Sequence, residues 1–351
     1  MQQENEGIGS ELIDRVPSGK PRSWKRHRKF AAKVAKMVYK GTDNDVYENM
    51  IHCGTVLVFR ENLRTHQKRL HRAFFCKKRT CPLCAWRKSR KLGSQMMETM
   101  SYLKAHQPGI RFLHLVLSMR NCTGQELGNQ IRRMNRAWKR VMSWKRFSSS
   151  VSGYYKALEI TYNQTDQTYH PHFHILLTVP AEYFSIDQAQ YIPQVEWVQL
   201  WRKALKLDYD PTAHIQAVKV GVSESTEFED ADNPIQPIQV EKAILEITKY
   251  VTKFSDLLPI ADESPEEFKE VMLTLDKQTV GVRVFSFGGL MREARKILKQ
   301  EDVETSDLTD PGSGEESDEF IEKTYQWDPV HEKYVLVEER IVSNSPGKGP
   351  D

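Results

Sequence analysis

The sequence predicts a mixed α+β fold in which antiparallel strands and amphipathic helices occur together. Residues 112–119 form a strongly apolar segment of strand length. Residues 154–162 and 169–179 have the character of two further strands, and the polar turn between them is short enough for an antiparallel hairpin. A helix is predicted over about 125–147, because Ile131, Met134, Trp138 and Val141 recur at helical spacing.

The remaining elements follow in chain order. A helix carries Trp197 and Trp201, a short strand covers residues 215–220, and an acidic loop covers residues 224–232. A helix is expected over about 240–257. The strand at 282–287 breaks at Gly288-Gly289 into a helix that ends near residue 299. Beyond that point we expect disorder, except for a hairpin across residues 323–342.

Composition and charge indicate a protein that binds a polyanion. The chain has 351 residues, is 39% hydrophobic and carries a net charge of +4, so it can bury a sizeable core. Residues 60–91 hold twelve Lys or Arg and one acid, residues 127–158 hold no acid, and residues 301–322 hold ten acids and no Lys or Arg. This segregation is typical of a nucleic-acid-binding body with an acidic tail, although a charged run can also be only a solvated face. No apolar run is long enough to cross a bilayer, so we expect a soluble intracellular protein.

Four of the five cysteines lie close together in the sequence, and they predict a structural zinc site. Cys81 and Cys84 are separated by two residues, which lets both thiolates reach one ion, and Cys53 and Cys76 complete the set. His66 or His71 could replace one cysteine ligand. The alternative is a group of unrelated reduced cysteines, as we expect for Cys122.

Three histidines alternate with other residues at 170, 172 and 174 and run into an apolar segment. In a strand this period places all three imidazoles on one face, while Phe173 and Ile175 point to the other. Parallel imidazoles in a sheet favour a divalent metal as their ligand. A chance run of surface histidines is the alternative.

The predicted helix around Glu246 offers a second chemical element. Its apolar stripe and its polar side lie next to each other, and the polar side holds Lys242, Glu246, Lys249, Tyr250 and Lys253. Glu246 and Tyr250 are four residues apart and therefore neighbours on the helix. Ammonium groups beside a tyrosine favour its phenolate and can hold a phosphate, as a nucleophile requires. The alternative is an ordinary half-buried tyrosine with helical salt bridges.

Together these segments resemble the HUH endonucleases. Within them the chain is similar to the rolling-circle replication initiators of small bacterial plasmids, in the branch that has one catalytic tyrosine with a glutamate four residues before it. The resemblance is carried by FLHLVLS at 112–118, HPHFHILL at 170–177 and the Glu246–Tyr250 helix. FCKKRTCPLCAWRKS and VRVFSFGGL also resemble this family, and the resemblance covers about residues 50–295.

The resemblance implies a central antiparallel sheet with the histidine strand in its middle and helices packed on it. Composition and motifs together predict four parts of the chain. These are a basic polar arm of unspecified order (1–45), a cysteine-rich zinc module (46–95), a nicking and joining domain (100–300) and an acidic tail (301–351).

The implied reaction is the nicking of one DNA strand at a plasmid origin. His172 and His174 would bind Mg²⁺ or Mn²⁺, with Glu159 as the first choice for a third ligand and His170 as the second. Tyr250 would attack the scissile phosphate, giving a 5′-phosphotyrosine and a free 3′-hydroxyl that primes rolling-circle synthesis. Glu246 would activate water for the hydrolysis that ends the cycle.

The implied partners are single-stranded origin DNA at the metal face, with Lys249 and Lys253 near its phosphates, and hairpin or duplex DNA at Arg132 and Arg136. No helicase P-loop is present, so a host helicase and the replication machinery would be recruited. We expect a location in the bacterial cytoplasm and no membrane partner, and the sequence allows a homo-oligomer. Two alternatives remain open: an HUH transposase or relaxase, and a non-catalytic zinc DNA-binding regulator.

Overall fold

A computed structural model describes residues 7–15, 21–184, 190–219, 238–248, 254–310 and 319–343. The chain forms two compact units. The first comprises residues 1–88 and 303–351, and the second comprises residues 89–302. The acidic loop predicted at 224–232 lies outside the described residues.

The described residues contain helices throughout the chain. A π-helical turn, Ala35–Tyr39, follows the first helix, and a 3-10 turn, Ala181–Phe184, precedes the sixth. The α-helices are α1 (Trp24–Val34), α2 (Asn44–Ile51), α3 (Pro82–His106), α4 (Leu127–Ser143), α5 (Lys145–Ser148), α6 (Gln194–Leu205), α7 (Val240–Ile247), α8 (Phe254–Glu263), α9 (Pro265–Gln278) and α10 (Gly289–Ile297).

The strands of the described residues form two sheets, one in each unit. They are β1 (Val56–Asn62), β2 (Lys68–Ala73), β3 (Arg111–Ser118), β4 (Gly153–Asn163), β5 (Thr168–Val179), β6 (Ala213–Lys219), β7 (Ile238–Gln239), β8 (Phe285–Gly288), β9 (Glu319–Asp328) and β10 (Lys333–Ser343).

The first unit is built on an antiparallel sheet of strand order β10-β9-β1-β2. The predicted C-terminal hairpin is present as β9 and β10, and it pairs with β1, which lies more than 250 residues earlier in the sequence (|i−j| = 262 for Arg60 and Glu322). Glu322 on β9 is buried and accepts hydrogen bonds from the guanidinium groups of Arg60 and Arg340. A buried carboxylate is tolerated there because both of its oxygens are paired with cations.

The second unit is built on a six-stranded sheet of order β7-β6-β3-β5-β4-β8, in which only the β6–β7 pair is parallel. The histidine strand, β5, lies between β3 and β4, so its backbone is paired on both sides. The sheet thus fixes the register of the histidines relative to both neighbouring strands. The predicted fold class and the central place of the histidine strand are confirmed.

One face of this sheet packs against α4 and α6. The four apolar residues that predicted α4 are all buried, and Trp201 of α6 packs against Phe173 of β5 with ring centroids 6.2 Å apart. Arg133 and Arg140 of α4 donate to the carbonyl oxygens of Leu205 and Ala204 at distances of 2.8 and 2.6 Å. They satisfy carbonyl groups that the end of α6 leaves without helical partners.

The prediction from sequence omitted several elements and misplaced some ends. The helices α1, α2, α3 and α9 and the strands β1 and β2 were not expected. The predicted helix over 125–147 is two helices, α4 and α5. Within the predicted helix over 240–257, α7 ends at Ile247 and α8 begins at Phe254. Among the described residues, no helix is both long and apolar enough to cross a membrane.

The four-part division of the chain stays a prediction. The contacts group residues 1–88 with 303–351, so the described parts of the arm and of the acidic tail fall in the same compact unit as the cysteines. The second unit, 89–302, covers nearly the same residues as the predicted nicking domain.

Candidate metal centres

The β4–β5 hairpin aligns an acid with the histidine strand. Glu159 of β4 lies directly opposite His172 of β5, and His174 lies opposite Ala157. Because alternate residues of a strand share a face, Glu159, His172 and His174 project from the same side of the sheet. The side chains of Glu159, His172 and His174 form a group in which one ligand atom from each lies within 4.8 Å of the others.

The two imidazoles converge on a single carboxylate oxygen. The Nε2 atoms of His172 and His174 lie 3.0 and 2.7 Å from Oε2 of Glu159. All three side chains are largely buried, with exposed fractions of 9% for His172, 6% for His174 and 2% for Glu159. An arrangement of this kind holds two nitrogen donors and one oxygen donor in place before any ligand arrives.

The protonation pattern around His172 fits a cation at this point. Its Nδ1 lies 3.1 Å from the backbone carbonyl oxygen of His170, which can only accept, so Nδ1 carries the proton. In the neutral ring the lone pair of Nε2 then faces Oε2 of Glu159, which is repulsive unless a proton or a metal ion lies between them. Metal-ligating histidines commonly donate their second N–H to a backbone carbonyl in this way.

Glu159 stays ionised in this environment. Burial acts to raise its pKa. The protonated forms of His172 and His174 donate hydrogen bonds to the carboxylate and place positive charge beside it, and together they outweigh burial and hold the pKa well below its usual range. Its second oxygen, Oε1, is buried and has no hydrogen-bond partner among the described residues. A buried carboxylate oxygen without a partner is costly, and a cation bound by the group would satisfy it.

The sequence prediction missed two side chains beside this group. His114 of β3 is 3% exposed, and its Nε2 lies 3.1 Å from Nδ1 of His174, with the two rings stacked 6° from parallel. Ser118, at the end of β3, pairs with His172 across the strands and is buried. Polar residues inside the apolar strand FLHLVLS were the signal for both, because a buried strand position normally carries an apolar side chain.

His170 lies outside the three-residue group, although it is on the same strand face. Its ring is half-buried and lies 5.3 Å from that of His172, and burial, followed by the nearby His172, lowers its pKa. Cross-strand pairing places Thr161, not an acid, opposite it. The structure therefore brings Glu159, and not His170, together with His172 and His174; their roles as ligands stay predictions.

Glu246 lies on α7, a helix that packs against β5 and β6. The side chain is half-buried, one position before the buried Ile247. Tyr250, Lys249 and Lys253 lie outside the described residues, so their predicted roles stay predictions.

The four predicted cysteines of the first unit converge on one point. The sulfur of Cys53 lies 3.5 Å from that of Cys84 and 3.8 Å from that of Cys81, and the sulfurs of Cys76 and Cys84 are 3.6 Å apart. Zinc–sulfur bonds of about 2.3 Å in a tetrahedron would separate the sulfurs by about 3.8 Å. The observed spacing fits a zinc ion, and the group consists of cysteines alone, without His66 or His71.

Local structure explains how distant cysteines meet. Cys81 and Cys84 flank the first residues of α3, Cys76 lies in the loop after β2, and Cys53 follows α2. Gly54 has a φ of +65°, a conformation that other residues rarely adopt, and a Cβ there would lie 2.4 Å from Cδ2 of Leu83, so glycine suits this turn best. Cys122 is buried elsewhere, and burial, with the nearby Glu126, raises its pKa to about 11, which makes it an inert thiol.

Arg132 and Arg136 lie on α4 and are exposed. The helix packs on the sheet face opposite the Glu159–His172–His174 group. Lys156 of β4 donates a hydrogen bond to Asn135 of α4. Lys156 is three residues from Glu159 on the same strand, and residues an odd number apart on a strand point to opposite faces. These two arginines are therefore not part of the Glu159–His172–His174 site.

A protein-family model described as a replication protein matches residues 67–335, most of the chain. The chain belongs to the replication protein family. Protein rep of Lactiplantibacillus plantarum is 32% identical over 332 residues, which covers 92% of this chain and 98% of that protein. Protein rep of Bacillus amyloliquefaciens is 33% identical over 336 residues and covers 93% of this chain and 97% of its own length.

A Staphylococcus aureus protein rep is 37% identical over 210 residues, covering 59% of this chain and 81% of that protein. No solved structure matches the chain. Membership of the replication protein family confirms the family resemblance inferred from the sequence. The four-cysteine group and the Glu159–His172–His174 group, each of which could hold a metal ion, are therefore parts of a replication protein.

Proposed function

We propose that this replication protein initiates rolling-circle replication of a plasmid by nicking one DNA strand at the origin. The observation that carries the proposal is the convergence of His172, His174 and Glu159 on one buried point of the central sheet. Family membership supports a replication role, and the donor set supports a metal-assisted reaction at a phosphate.

The metal ligands in this proposal are the Nε2 atoms of His172 and His174 and the carboxylate of Glu159. Two nitrogen donors and one oxygen donor suit Mn²⁺ well and Mg²⁺ less well. When bound, the divalent cation supplies a positive charge that polarises the scissile phosphate. His114 holds the ring of His174 in orientation, and the backbone carbonyl of His170 does the same for His172.

Tyr250 is the proposed nucleophile. Its phenol would give up its proton and the phenolic oxygen would bond to phosphorus, while the bond from phosphorus to the 3′-oxygen would break and that oxygen would take up a proton to become the 3′-hydroxyl. The product is a 5′-phosphotyrosine and a primer end. Lys249 and Lys253 would contact the phosphates beside it.

Glu246 is the proposed general base at termination. Its carboxylate would take a proton from water, whose oxygen attacks the phosphotyrosine and releases Tyr250 with its proton restored. Strand transfer to a new 3′-hydroxyl would reverse the first step by the same chemistry.

The four cysteines are proposed to hold a structural zinc ion, because all four ligand positions of a tetrahedral site are filled by protein and none is left for substrate. The proposed partners are origin DNA, in single-stranded and in hairpin or duplex form, and a host helicase with the replication machinery. The proposed location is the bacterial cytoplasm, and the proposal is compatible with a homo-oligomer.

The test is covalent capture of the nicked strand. The purified chain is incubated with Mn²⁺ and a labelled supercoiled plasmid that carries the origin under test, and a protein-linked product is sought on a denaturing gel. Mass spectrometry of the tryptic peptide that contains Tyr250 should find it linked to a 5′-oligonucleotide. Tyr250→Phe should abolish the adduct, and Tyr102→Phe, a tyrosine of α3 outside the proposed site, serves as the matched control.

Equal nicking by Tyr250→Phe and the unchanged chain would refute the tyrosine assignment. If His172→Ala and Glu246→Ala both kept full activity, the HUH mechanism as a whole would be wrong. A chain that binds the plasmid and never nicks it would instead be a zinc DNA-binding regulator.

A further inference from the structure

The basic residues of α4 divide into two groups with different surroundings. Arg133 and Arg140 are engaged with carbonyl oxygens at the end of α6. Arg132, Arg136 and Lys139 are exposed and have no carboxylate partner among the described residues. The first group therefore stabilises the fold, and the second group is available to a ligand.

The second group lines a cavity of about 410 Å³ between α4, β4 and residues 280–286. We call this cavity the basic pocket, and its cations are Arg132, Arg136, Lys139, Lys156 and Arg283. None of the described residues that line it is acidic. A concave site that gathers five basic side chains and no acidic side chain favours an anion.

Lys156 is the most buried of these cations. Only 2% of the residue is exposed, whereas the other four are exposed. Its Nζ donates to Oδ1 of Asn135 at 2.8 Å and lies 3.8 Å from the centre of the Phe173 ring. Burial, together with the nearby Arg283, lowers its pKa to about 7. A buried lysine without a carboxylate partner is costly, and a bound anion would recover that cost.

Two further features fit the oxygens of a phosphate. The hydroxyl oxygen of Ser286, which lines the pocket, is buried without a hydrogen-bond partner among the described residues. Arg132, Arg136 and Lys139 are spaced by four and three residues, so they follow one another along the same side of α4 over about 10 Å. The exposed guanidinium groups of Arg132 and Arg136 and the buried ammonium group of Lys156 can all donate hydrogen bonds to an oxyanion.

We propose that the basic pocket binds a backbone phosphate of DNA, on the face of the sheet opposite Glu159, His172 and His174. This proposal rests on the proposed function in one respect: it takes DNA as the substrate. The pocket and the metal group lie on opposite faces of one sheet, so the phosphate in the pocket belongs to a nucleotide other than the one at the metal site. The pocket would therefore anchor the origin without taking part in the reaction.

The experiment measures DNA binding without nicking. Fluorescence anisotropy with a short labelled duplex of arbitrary sequence is recorded in EDTA over a series of salt concentrations, for the full-length chain and its variants. Lys156→Met should weaken binding about tenfold at low salt, as loss of one charge-assisted contact predicts. The slope of log K against log salt should also become shallower, by up to about 1.

Lys296→Met is the matched control, because Lys296 is an exposed lysine of α10 that does not line the pocket. It should change affinity by less than about twofold, as expected for one distant charge. Equal effects of Lys156→Met and Lys296→Met would overturn the proposal, because diffuse attraction does not depend on where a charge lies. If circular dichroism shows that Lys156→Met does not fold, Arg283→Gln at the exposed rim is used instead. It should weaken DNA binding by about the same factor and make the salt dependence shallower in the same way.

A free phosphate is the other source of the same ligand chemistry. Inorganic phosphate is added to the chain and to Lys156→Met, and the melting temperature is recorded. If phosphate raised the melting temperature only when Lys156 is present, while DNA binding was unchanged in Lys156→Met, the pocket would bind a small phosphate and not DNA. Adduct formation at Tyr250 is measured separately, so failure of the nicking proposal leaves the result of the EDTA assay intact.

Discussion

Replacing Lys156 by methionine should stabilise the second unit. Lys156 is almost fully buried against the Phe173 ring, and its charge is balanced by no carboxylate among the described residues. Methionine has a similar length and no charge, so it fits the same space without a desolvation cost. The main loss is the hydrogen bond to Asn135, whose half-buried amide can turn to water.

The size of the effect follows from the proton equilibrium of Lys156. Its pKa is about 7 in the folded chain, against an ordinary value of 10.5. Between these two values the unfolded chain binds more protons than the folded chain, so stability rises with pH. The shift destabilises the fold by about 4 kcal/mol near pH 7 and by about 2 kcal/mol near pH 9.

We therefore expect Lys156→Met to raise the free energy of unfolding by about 2–4 kcal/mol near pH 7, after about 1 kcal/mol is subtracted for the lost hydrogen bond. The gain should shrink by about 2 kcal/mol near pH 9. Urea denaturation followed by tryptophan fluorescence at both pH values measures it. Lys139→Met removes an exposed charge nearby and should stay within about 0.5 kcal/mol of the unchanged chain.

A variant that is less stable than the unchanged chain near pH 7 would refute the reasoning. A gain that does not depend on pH would also refute it, since it would show that packing and not ionisation decides the effect. If the variant is more stable and binds DNA less tightly, then Lys156 is kept at a cost in stability, as expected of a functional residue.

Two further predictions concern the metal groups. Cys84→Ser should lose the bound zinc and lower the melting temperature of the first unit, because only three thiolates remain around the ion. Elemental analysis of the purified chain measures the zinc content. Cys122→Ser, the control, should keep its zinc, and equal zinc in both variants would contradict the site. His114→Gln should weaken Mn²⁺ binding about 10–100-fold, measured by calorimetry, because the ring of His174 loses the partner that orients it. An unchanged affinity would show that His114 has no role at the metal centre.

Much of the fold could be predicted because its signals are local. The alternation of histidines in β5, the short turn of the hairpin and the helical spacing of apolar residues in α4 each lie within a few residues of sequence. The sequence of α9 carries the same kind of local signal, because Ser264 and Pro265 precede two acids and a set of apolar residues at helical spacing. The start of α3 is harder to see in the sequence, because its first residues also belong to the cysteine motif.

The C-terminal segment shows where local signals end. Its hairpin was foreseen from residues 323–342, but nothing in that stretch indicates that β9 pairs with β1. Pairing partners so far apart in sequence are selected by the burial of whole strand faces, which no local window contains.

The sequence alone determined that histidines share a strand face, that four cysteines can share one ion, and that the chain resembles the plasmid initiators. Only the tertiary structure decided which groups meet. Cross-strand register places Glu159, and not His170, with His172 and His174, and it places His114 behind His174 from a strand 60 residues away. The packing of α4 against α6 and the sheet also separates the arginines of α4 into those that bind carbonyl oxygens of α6 and those that line the basic pocket. Periodicity fixes the direction of a side chain relative to its own backbone, whereas its partners depend on how separate elements pack.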